Sequence, residues 1–252
     1  MNLDISLAPQ ILFHIGGFPV TNSFLWMVVL SVVVIAVTLV TRFSLKAIPG
    51  KWQNIVEVII TGGYDFTKSI IGSDKKARRI FPLVMTMFIF TLIANLFTYI
   101  PGQAAVTIQT TAGPAALFRA VMADYSMVFL MTIITVITVQ VVAIMVHGPF
   151  GYVGKFLNFR SPLAFALGLM DIIGEFAKVV SLSFRLFGNI FAGEVLGAVM
   201  LFLAPFFIPL PFMFLGLLSA VVQAFVFATL TLVFVMLAAE VEEDELVEAA
   251  SM

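Results

Sequence analysis

The fold of this chain is decided by residues 162–204, which read PLAFALGLMDIIGEFAKVVSLSFRLFGNIFAGEVLGAVMLFLA. The stretch is apolar enough for lipid, yet it keeps five ionisable residues: Asp171, Glu175, Lys178, Arg185 and Glu194. A charge at the centre of a bilayer costs about 2.5–3.5 kcal/mol by insertion measurements. Charged residues that are kept at that cost usually mark the path of an ion. The stretch therefore predicts a membrane-embedded segment that is also the functional centre.

The composition is that of a polytopic membrane protein. Hydrophobic residues make up 62% of the chain and charged residues only 11%, against about 25% charged residues in soluble domains. The mean hydropathy is +1.14. The first twenty residues lack the basic segment that opens a signal peptide, so we expect the first apolar segment to be a retained span.

Several kinds of site are excluded by what the sequence lacks. There is no cysteine, which excludes disulfides, thiolate metal sites and cysteine nucleophiles. The two histidines, His14 and His147, lie outside the apolar segments, so we expect no cofactor and no metal within the membrane. No glycine-rich phosphate loop is present. The protein is therefore not expected to bind nucleotide, and nucleic acid is not an expected partner.

The predicted fold class is an all-α polytopic membrane protein with about five transmembrane helices, an interfacial amphipathic helix and a long, strongly tilted C-terminal helical hairpin. Residues 103–124 are predicted to form a loop, and a second, glycine-containing loop follows the third span. The segments of this single membrane domain, 1–252, are an outer N-terminal segment, 1–23; a first span, 24–43; an interfacial helix, 51–72; a second span, 80–100; a third span, 125–146; the hairpin helices, 162–204 and 212–239; and an acidic inner tail, 240–252.

The distribution of basic residues orients the chain. Eight of the thirteen basic residues fall between Arg42 and Arg79, and cytoplasmic loops carry the excess of Lys and Arg. This predicts an outer N-terminus and a cytoplasmic C-terminus. The expected location is the inner (plasma) membrane of a bacterium rather than the mitochondrial inner membrane.

The length of residues 162–204 needs an explanation. At about 1.5 Å per residue a helix of this length reaches roughly 65 Å, about twice the roughly 30 Å hydrocarbon core. The segment is either one steeply tilted helix or two helices broken near Gly168 or Gly174. The absence of an internal proline favours the single tilted helix.

Helical spacing sorts the charges of this segment onto two faces. Asp171, Lys178 and Arg185 follow one another at intervals of seven residues, so they share one stripe, and Ser181 lies four residues before Arg185. Glu194 is nine residues beyond Arg185, which is half a turn away at 100° per residue. Because a guanidinium does not give up its proton in proteins, Arg185 presents a fixed cation to one neighbour, while Glu194 presents a titratable carboxyl to another.

Each charge also has a structural interpretation. Arg185 could pair with an acid on a neighbouring helix for packing alone, and Glu194 could be an interface carboxyl. Lys178 could extend its ammonium group to the inner surface. Asp171 and Glu175 could be ordinary residues of the inner interface. The sequence leaves these alternatives open.

Four polar residues outside this segment are further candidates. Gln223 is the only amide of the last apolar helix and is interpreted as a neutral partner for Arg185 or for water, against an interhelical hydrogen bond. Asp124 precedes the third span and is either a helix cap or a proton acceptor. Asn95 and Gln140 are interpreted as packing or water-chain residues.

The motif SLSFRLFGNIFAGE, residues 181–194, resembles the a subunit of the F-type ATP synthase membrane sector. Further segments resemble the same family over most of the chain. They are GGFPVTNSFLW near the N-terminus, GKWQNIVEVII after the first span, NLFTYIPG at the end of the second span and QAFVFATLTLVFV in the last helix.

The resemblance implies a proton-conducting, non-catalytic stator subunit with two offset half-channels against a rotating c-ring. Arg185 is similar to the essential arginine that faces the ring carboxylate, and Gln223 to the glutamine beside it. Asn189 and Glu194 are similar to residues of the outer half-channel. Many members have a histidine where this chain has Gly216. The further pathway candidates are Asp124, Asp171, Glu175, Lys178 and Ser181.

The same resemblance implies the partners: c-ring subunits, b-type peripheral stalk subunits and the lipid bilayer, with H⁺ rather than Na⁺ as the translocated ion. Two other functions use the same charges. A stand-alone ion channel or secondary transporter would work in isolation. A structural anchor in a respiratory complex would keep transport intact when Arg185 is neutralised.

Overall fold

The computed structural model describes residues 9–100, 106–110, 113–156, 162–203 and 207–250. Its elements are the hairpin β1 (Ile11–Ile15) and β2 (Phe18–Thr21), α1 (Asn22–Phe43), α2 (Lys51–Ile71), α3 (Asp74–Phe97), the hairpin β3 (Thr107–Thr110) and β4 (Gly113–Ala116), a 3-10 turn (Val121–Ala123), α4 (Tyr125–Phe156), α5 (Pro162–Leu203) and α6 (Pro209–Ala250). All these helices except α2 contain a stretch that is long and apolar enough to cross a membrane. The prediction of an all-α polytopic membrane protein is therefore confirmed.

Local sequence explains where α1 begins and where α2 ends. The Thr21 hydroxyl caps α1 by accepting a hydrogen bond from the backbone N–H of Phe24 at 3.2 Å. Helix α2 ends at Gly72, whose φ of +73° is left-handed and is adopted by glycine without the penalty of a Cβ. These signals are local, and the observed bounds lie within two residues of the predicted 24–43 and 51–72.

Four predicted boundaries are wrong. The second span, predicted over 80–100, belongs to a helix that begins at Asp74 and ends at Phe97. The loop predicted after residue 146 is helical to Phe156, with a break at Gly148, where φ is +72°. The acidic segment after residue 239 continues α6 as far as Ala250. The loop predicted over residues 103–124 contains β3, β4 and the 3-10 turn in its described part. The parts of the predicted segments that lie outside the described residues are 1–8, 101–105, 111–112, 157–161, 204–206 and 251–252.

Helix α6 is the centre of the bundle and packs against α3, α4 and α5, while α1 contacts α3, β2 and the 3-10 turn. Their shared core is continuous, and Phe227 is its largest fully buried side chain. The buried members of this core are Leu30, Ala94, Ala120, Met122, Ala123, Val128, Leu182, Leu186, Ile190, Ala220 and Phe227.

Helix α5 is one uninterrupted helix of 42 residues, so the break considered near Gly168 or Gly174 does not occur. At about 1.5 Å per residue it is roughly 63 Å long. A short connection leads from its end into α6, and the two helices pack along each other as an antiparallel hairpin. The strong tilt of this hairpin in the bilayer stays a prediction.

Candidate functional site

Arg185 lies near the middle of α5, and its side chain is exposed on the protein. Among the described residues it makes no hydrogen bond and no salt bridge. It borders a cavity of about 270 Å³ between α5 and α6, which has room for several water molecules. The cavity is lined by Gly174, Ala177, Lys178, Ser181, Leu182, Arg185, Leu230 and Phe234. Arg185, Ser181 and Lys178 therefore face one shared space.

A polar network joins α4 and α5 on the Lys178 side of Arg185. The Lys178 ammonium donates to Glu175 Oε1 at 2.6 Å and lies 5.3 Å from the centre of the Phe234 ring. Gln140 Nε2 donates to Glu175 Oε2 at 2.7 Å, and the Tyr152 hydroxyl donates to Gln140 Oε1. Because every bond involving Glu175 is charge-assisted, this network fixes the position of Lys178 at the edge of the cavity.

Glu194 lies on the other side of Arg185 and is half-buried. Its carboxylate interacts electrostatically with Arg119, which comes from the segment before α4. Tyr99, just after α3, lies near the same carboxylate. Arg185 and Glu194 thus have different neighbours, as their nine-residue spacing predicts.

A pair of hydrogen bonds connects the two helices of the hairpin. Ser219 Oγ donates to Asn189 Oδ1 at 2.7 Å, and Asn189 Nδ2 donates to the backbone carbonyl of Ser219 at 3.3 Å. In an antiparallel pair with Asn189 opposite Ser219, Arg185 on α5 is level with Gln223 on α6. Asn189 therefore links α5 to α6 by hydrogen bonds and is also a candidate pathway residue.

We predict a measurable coupling between Asn189 and Ser219. In a double-mutant cycle with Asn189→Ala and Ser219→Ala, the coupling free energy should be about 0.6 kcal/mol and at most about 1.7 kcal/mol, the range for interhelical hydrogen bonds in membranes. The measurement is denaturation of the purified complex. Ser183→Ala is the matched control, because the Ser183 hydroxyl donates to Val180 within its own helix. Strict additivity of Asn189→Ala and Ser219→Ala would contradict the prediction.

Gln223 is buried, with 7% of its surface exposed. It lies on the helix next to that of Arg185, but the described structure shows no hydrogen bond between the two side chains. Its Nε2 has no partner among the described residues. A donor left unsatisfied in a buried position is costly, so this amide is available to a water or to a group brought by a partner protein.

The structure shows how Asp124 is used. Its Oδ1 accepts a hydrogen bond from the backbone N–H of Ser126 at 3.0 Å, which caps α4. Its Oδ2 is buried and has no partner among the described residues. The capping interpretation agrees with this geometry, and the interpretation as a proton acceptor stays a prediction.

Two predicted candidates differ in their surroundings. Ser181 is exposed and lines the cavity beside Arg185. Asp171 is exposed on α5, and within the described part of the chain it makes no hydrogen bond or salt bridge. Asp171 therefore shares the stripe of Arg185 and Lys178 without joining their network.

The sequence interpretation did not single out Tyr99, Arg119, Tyr152 or Ser219. Ser219 could have been found, because it lies four residues before Gln223 and so on the same helical face. Tyr99 and Tyr152 carried no signal, since tyrosine is common at both ends of membrane spans. Their neighbours come from distant parts of the chain.

Comparison with known proteins gives consistent matches. The profile of the family described as ATP synthase A chain matches residues 24–236. Similar proteins include an ATP synthase subunit a from Moorella thermoacetica, 33% identical over 227 residues, which are 90% of this chain and 94% of the relative. One from Geotalea daltonii is 34% identical over 84% of each chain. ATP synthase subunit a 2 from Picosynechococcus sp. is 32% identical over 94% of each.

Proposed function

This chain belongs to the ATP synthase A chain family, and we propose on that premise that it is the stator subunit through which protons cross the membrane to turn a c-ring. Membership makes it a membrane-sector subunit of ATP synthase and a multi-pass membrane protein. The proposal adds two offset half-channels that Arg185 separates. The chain carries no nucleotide chemistry in this mechanism, because that chemistry belongs to other subunits of the complex.

The observation that carries the proposal is the separation of polar groups along α5. Lys178, Ser181 and Arg185 line one cavity, whereas Glu194 belongs to a different environment beyond Arg185. If one aqueous path ended on each side of Arg185, protons would have no continuous route past its fixed charge. A proton could then cross only by riding on a carrier that moves from one path to the other.

The exposed face of α5 supports a ring of c subunits as that carrier. Ile173, Phe176, Val180 and Phe184 are 50–71% exposed and recur at intervals of three and four residues, so they form one apolar stripe. Arg185 lies beside this stripe and is exposed as well. A carboxyl carried by the ring would pass Arg185 along this face.

Arg185 acts on the passing carboxyl through its charge. A cation within a few ångströms lowers the pKa of a carboxyl, so the ring group releases its proton to the inner path as it approaches. Arg185 holds no partner of its own among the described residues, which leaves it available for a loose contact. A protonated ring carboxyl is neutral and can turn through lipid at much lower cost than a charged one.

The two paths are assigned by their positions relative to Arg185. Lys178, Glu175 and Ser181 belong to the inner path, which the cavity opens to water. Glu194 and Asn189 belong to the outer path, with Gln223 level with Arg185. Under the orientation that the basic residues predict, the N-terminus is outside and the acidic end inside, in a bacterial plasma membrane. The ring and the b-type peripheral stalk subunits are the expected protein partners.

Glu194→Gln should slow proton conduction several-fold without opening a leak. The carboxyl lies away from the cavity of Arg185, so its loss removes an exchangeable proton from the outer path and leaves the barrier in place. The measurement is proton uptake by vesicles under an imposed potassium diffusion potential, together with ATP-driven pumping.

Glu57→Gln is the matched control, because Glu57 is exposed on α2 and should conduct like the unmodified protein. If passive conductance rises in vesicles that carry Glu194→Gln, Glu194 is part of the barrier and the proposed division of the path is wrong.

Repeating the pumping assay with and without Na⁺ identifies the ion, and the proposal requires pumping that is independent of Na⁺.

A further inference from the structure

Tyr99 occupies a space that two glycines on different helices keep open. Its hydroxyl oxygen lies 2.8 Å from where a Cβ on Gly193 of α5 would be, and 2.6 Å from where a Cβ on Gly216 of α6 would be. The Cε1 and Cζ atoms of the ring lie 2.7 and 2.9 Å from that second position. Real Cβ atoms essentially never lie within 3.0 Å of a heavy atom from another part of the chain. The Tyr99 ring therefore fills the volume that a side chain at residue 216 would need.

The position of the hydroxyl relates it to Glu194. Gly193, whose Cβ position the hydroxyl occupies, is the residue before Glu194. The Tyr99 hydroxyl lies within electrostatic reach of the Glu194 carboxyl. The charge of Arg119 also acts on Glu194. Tyr99 is half-buried, so its hydroxyl is held by α5 and α6 at this end of the hairpin.

We propose that Tyr99 is a relay and positioning residue of the outer proton path, whose hydroxyl holds water against Glu194 from the space between Gly193 and Gly216. This inference rests on the proposed function, since it needs a proton path at Glu194. A phenol both accepts and donates a hydrogen bond. A proton arriving on one water passes to the phenolic oxygen while the phenol's own proton passes to a second water that contacts Glu194, so the hydroxyl is unchanged after each transfer.

Tyr99→Phe tests the proposal by removing the hydroxyl while keeping the ring. Passive proton conduction should fall at least about tenfold, which is less than the roughly 10²–10⁴ that a positioned acid or base contributes, because water can partly replace the lost hydroxyl. The pH at which conduction is half its maximum should rise, because the charged carboxylate loses a positioned water that donates a hydrogen bond to it. Arg119, whose charge also acts on Glu194, is unchanged in this variant.

The matched control is Tyr125→Phe. Tyr125 begins α4, and its ring packs on Phe129 and Phe187, so the substitution removes a hydroxyl from another ordered tyrosine. Its conduction and its half-maximal pH should equal those of the unmodified protein. A purely structural role for Tyr99 would leave the half-maximal pH unmoved in Tyr99→Phe.

Gly216→Ala gives a second test that keeps the hydroxyl but displaces it. The added Cβ needs the volume of the Tyr99 ring, so the ring must shift and conduction should fall several-fold. Gly197→Ala is its control, because nothing lies within 4 Å of a Cβ at that position of α5. If the complex carrying Gly216→Ala fails to assemble, Tyr99→Phe decides alone.

Arg185→Ala, measured in the same vesicles, distinguishes failure of the proposed function from failure of the role proposed for Tyr99. Normal pumping by Arg185→Ala would overturn the proposed function. Loss of pumping by Arg185→Ala, with Tyr99→Phe within about twofold of the unmodified rate and an unshifted half-maximal pH, would overturn the role of Tyr99 alone.

Discussion

Replacing Arg185 by alanine should abolish ATP synthesis while the complex still assembles. Taking away one partner of a poorly solvated charge pair costs about 3–5 kcal/mol, which corresponds to a rate factor of roughly 10² or more. The ring carboxylate would pass the subunit with no opposing charge, and the fixed cation between the two paths would be gone. ATP-driven proton pumping should be at background, and passive proton conductance should rise.

Arg42→Ala is the matched control for this result. Arg42 is at the end of α1, outside the cavity and the polar network, so its loss should leave pumping unchanged. Arg185→Lys should also lose most of the coupling, since an ammonium differs in donor geometry and can itself deprotonate. Normal pumping with Arg185→Ala would contradict the proposed function and would favour a purely structural role of the protein in its complex.

Assembly is expected to survive Arg185→Ala because Arg185 contributes nothing to the described packing. Its side chain is exposed, and its immediate neighbour Leu186 is fully buried in the core. Helix α5 thus places a packing residue and an exposed charge at adjacent positions. Leu186 packs in the core and holds α5 in place, whereas Arg185 stays exposed, as the proposed contact with a ring carboxyl requires.

Helix positions were predictable where the signal is local. The single helix predicted over 162–204 is observed as Pro162–Leu203, because hydropathy and the positions of proline and glycine decide it. The end of α6 was not predictable from hydropathy. Its acidic segment is rich in Glu and Ala, which are strong helix formers, so the helix continues where the apolar sequence stops.

The charged residues of the candidate site stand out in the sequence, but their contacts in the structure do not. Arg185 and Glu194 stand out because charge is rare in lipid. Besides nearby Lys178, Glu175 is bonded by Gln140, 35 residues earlier, and the Asn95 side chain donates to the carbonyl of Ala220, 125 residues away. Such pairs are set by the way helices pack, which one sequence does not report.

Gly216 illustrates the same limit. From the sequence it is only a missing side chain, at a position where the family resemblance leads one to expect a histidine. In the structure its space is taken by the Tyr99 ring, which arrives from the end of a helix more than a hundred residues earlier. A hydroxyl is thereby placed near Glu194 by a residue that no local pattern singles out.

Phe227→Ala should be the most destabilising single substitution among those considered, because Phe227 is the largest fully buried side chain. Removing a buried phenylalanine ring costs about 3–5 kcal/mol in soluble cores. Part of that cost is transfer from water, which is smaller in lipid, so we expect about 3 kcal/mol, the low end of that range. The loss comes from packing, which drives helix association in membranes. The yield of intact complex after detergent extraction should fall sharply.

Phe214→Ala is the control, since it removes the same ring from a position of α6 that is 68% exposed, and its yield should be unchanged.

Phe227→Ala should also affect proton pumping, unlike Phe214→Ala. Phe227 shares its core with Leu182 and Leu186, the residues that flank Arg185 on the buried side of α5. A cavity there lets α5 move relative to α6, so the complexes that survive should pump poorly although no proton-carrying residue has changed. Equal yield and equal pumping for Phe227→Ala and Phe214→Ala would mean that the position of Arg185 is fixed by partner subunits instead of by this core.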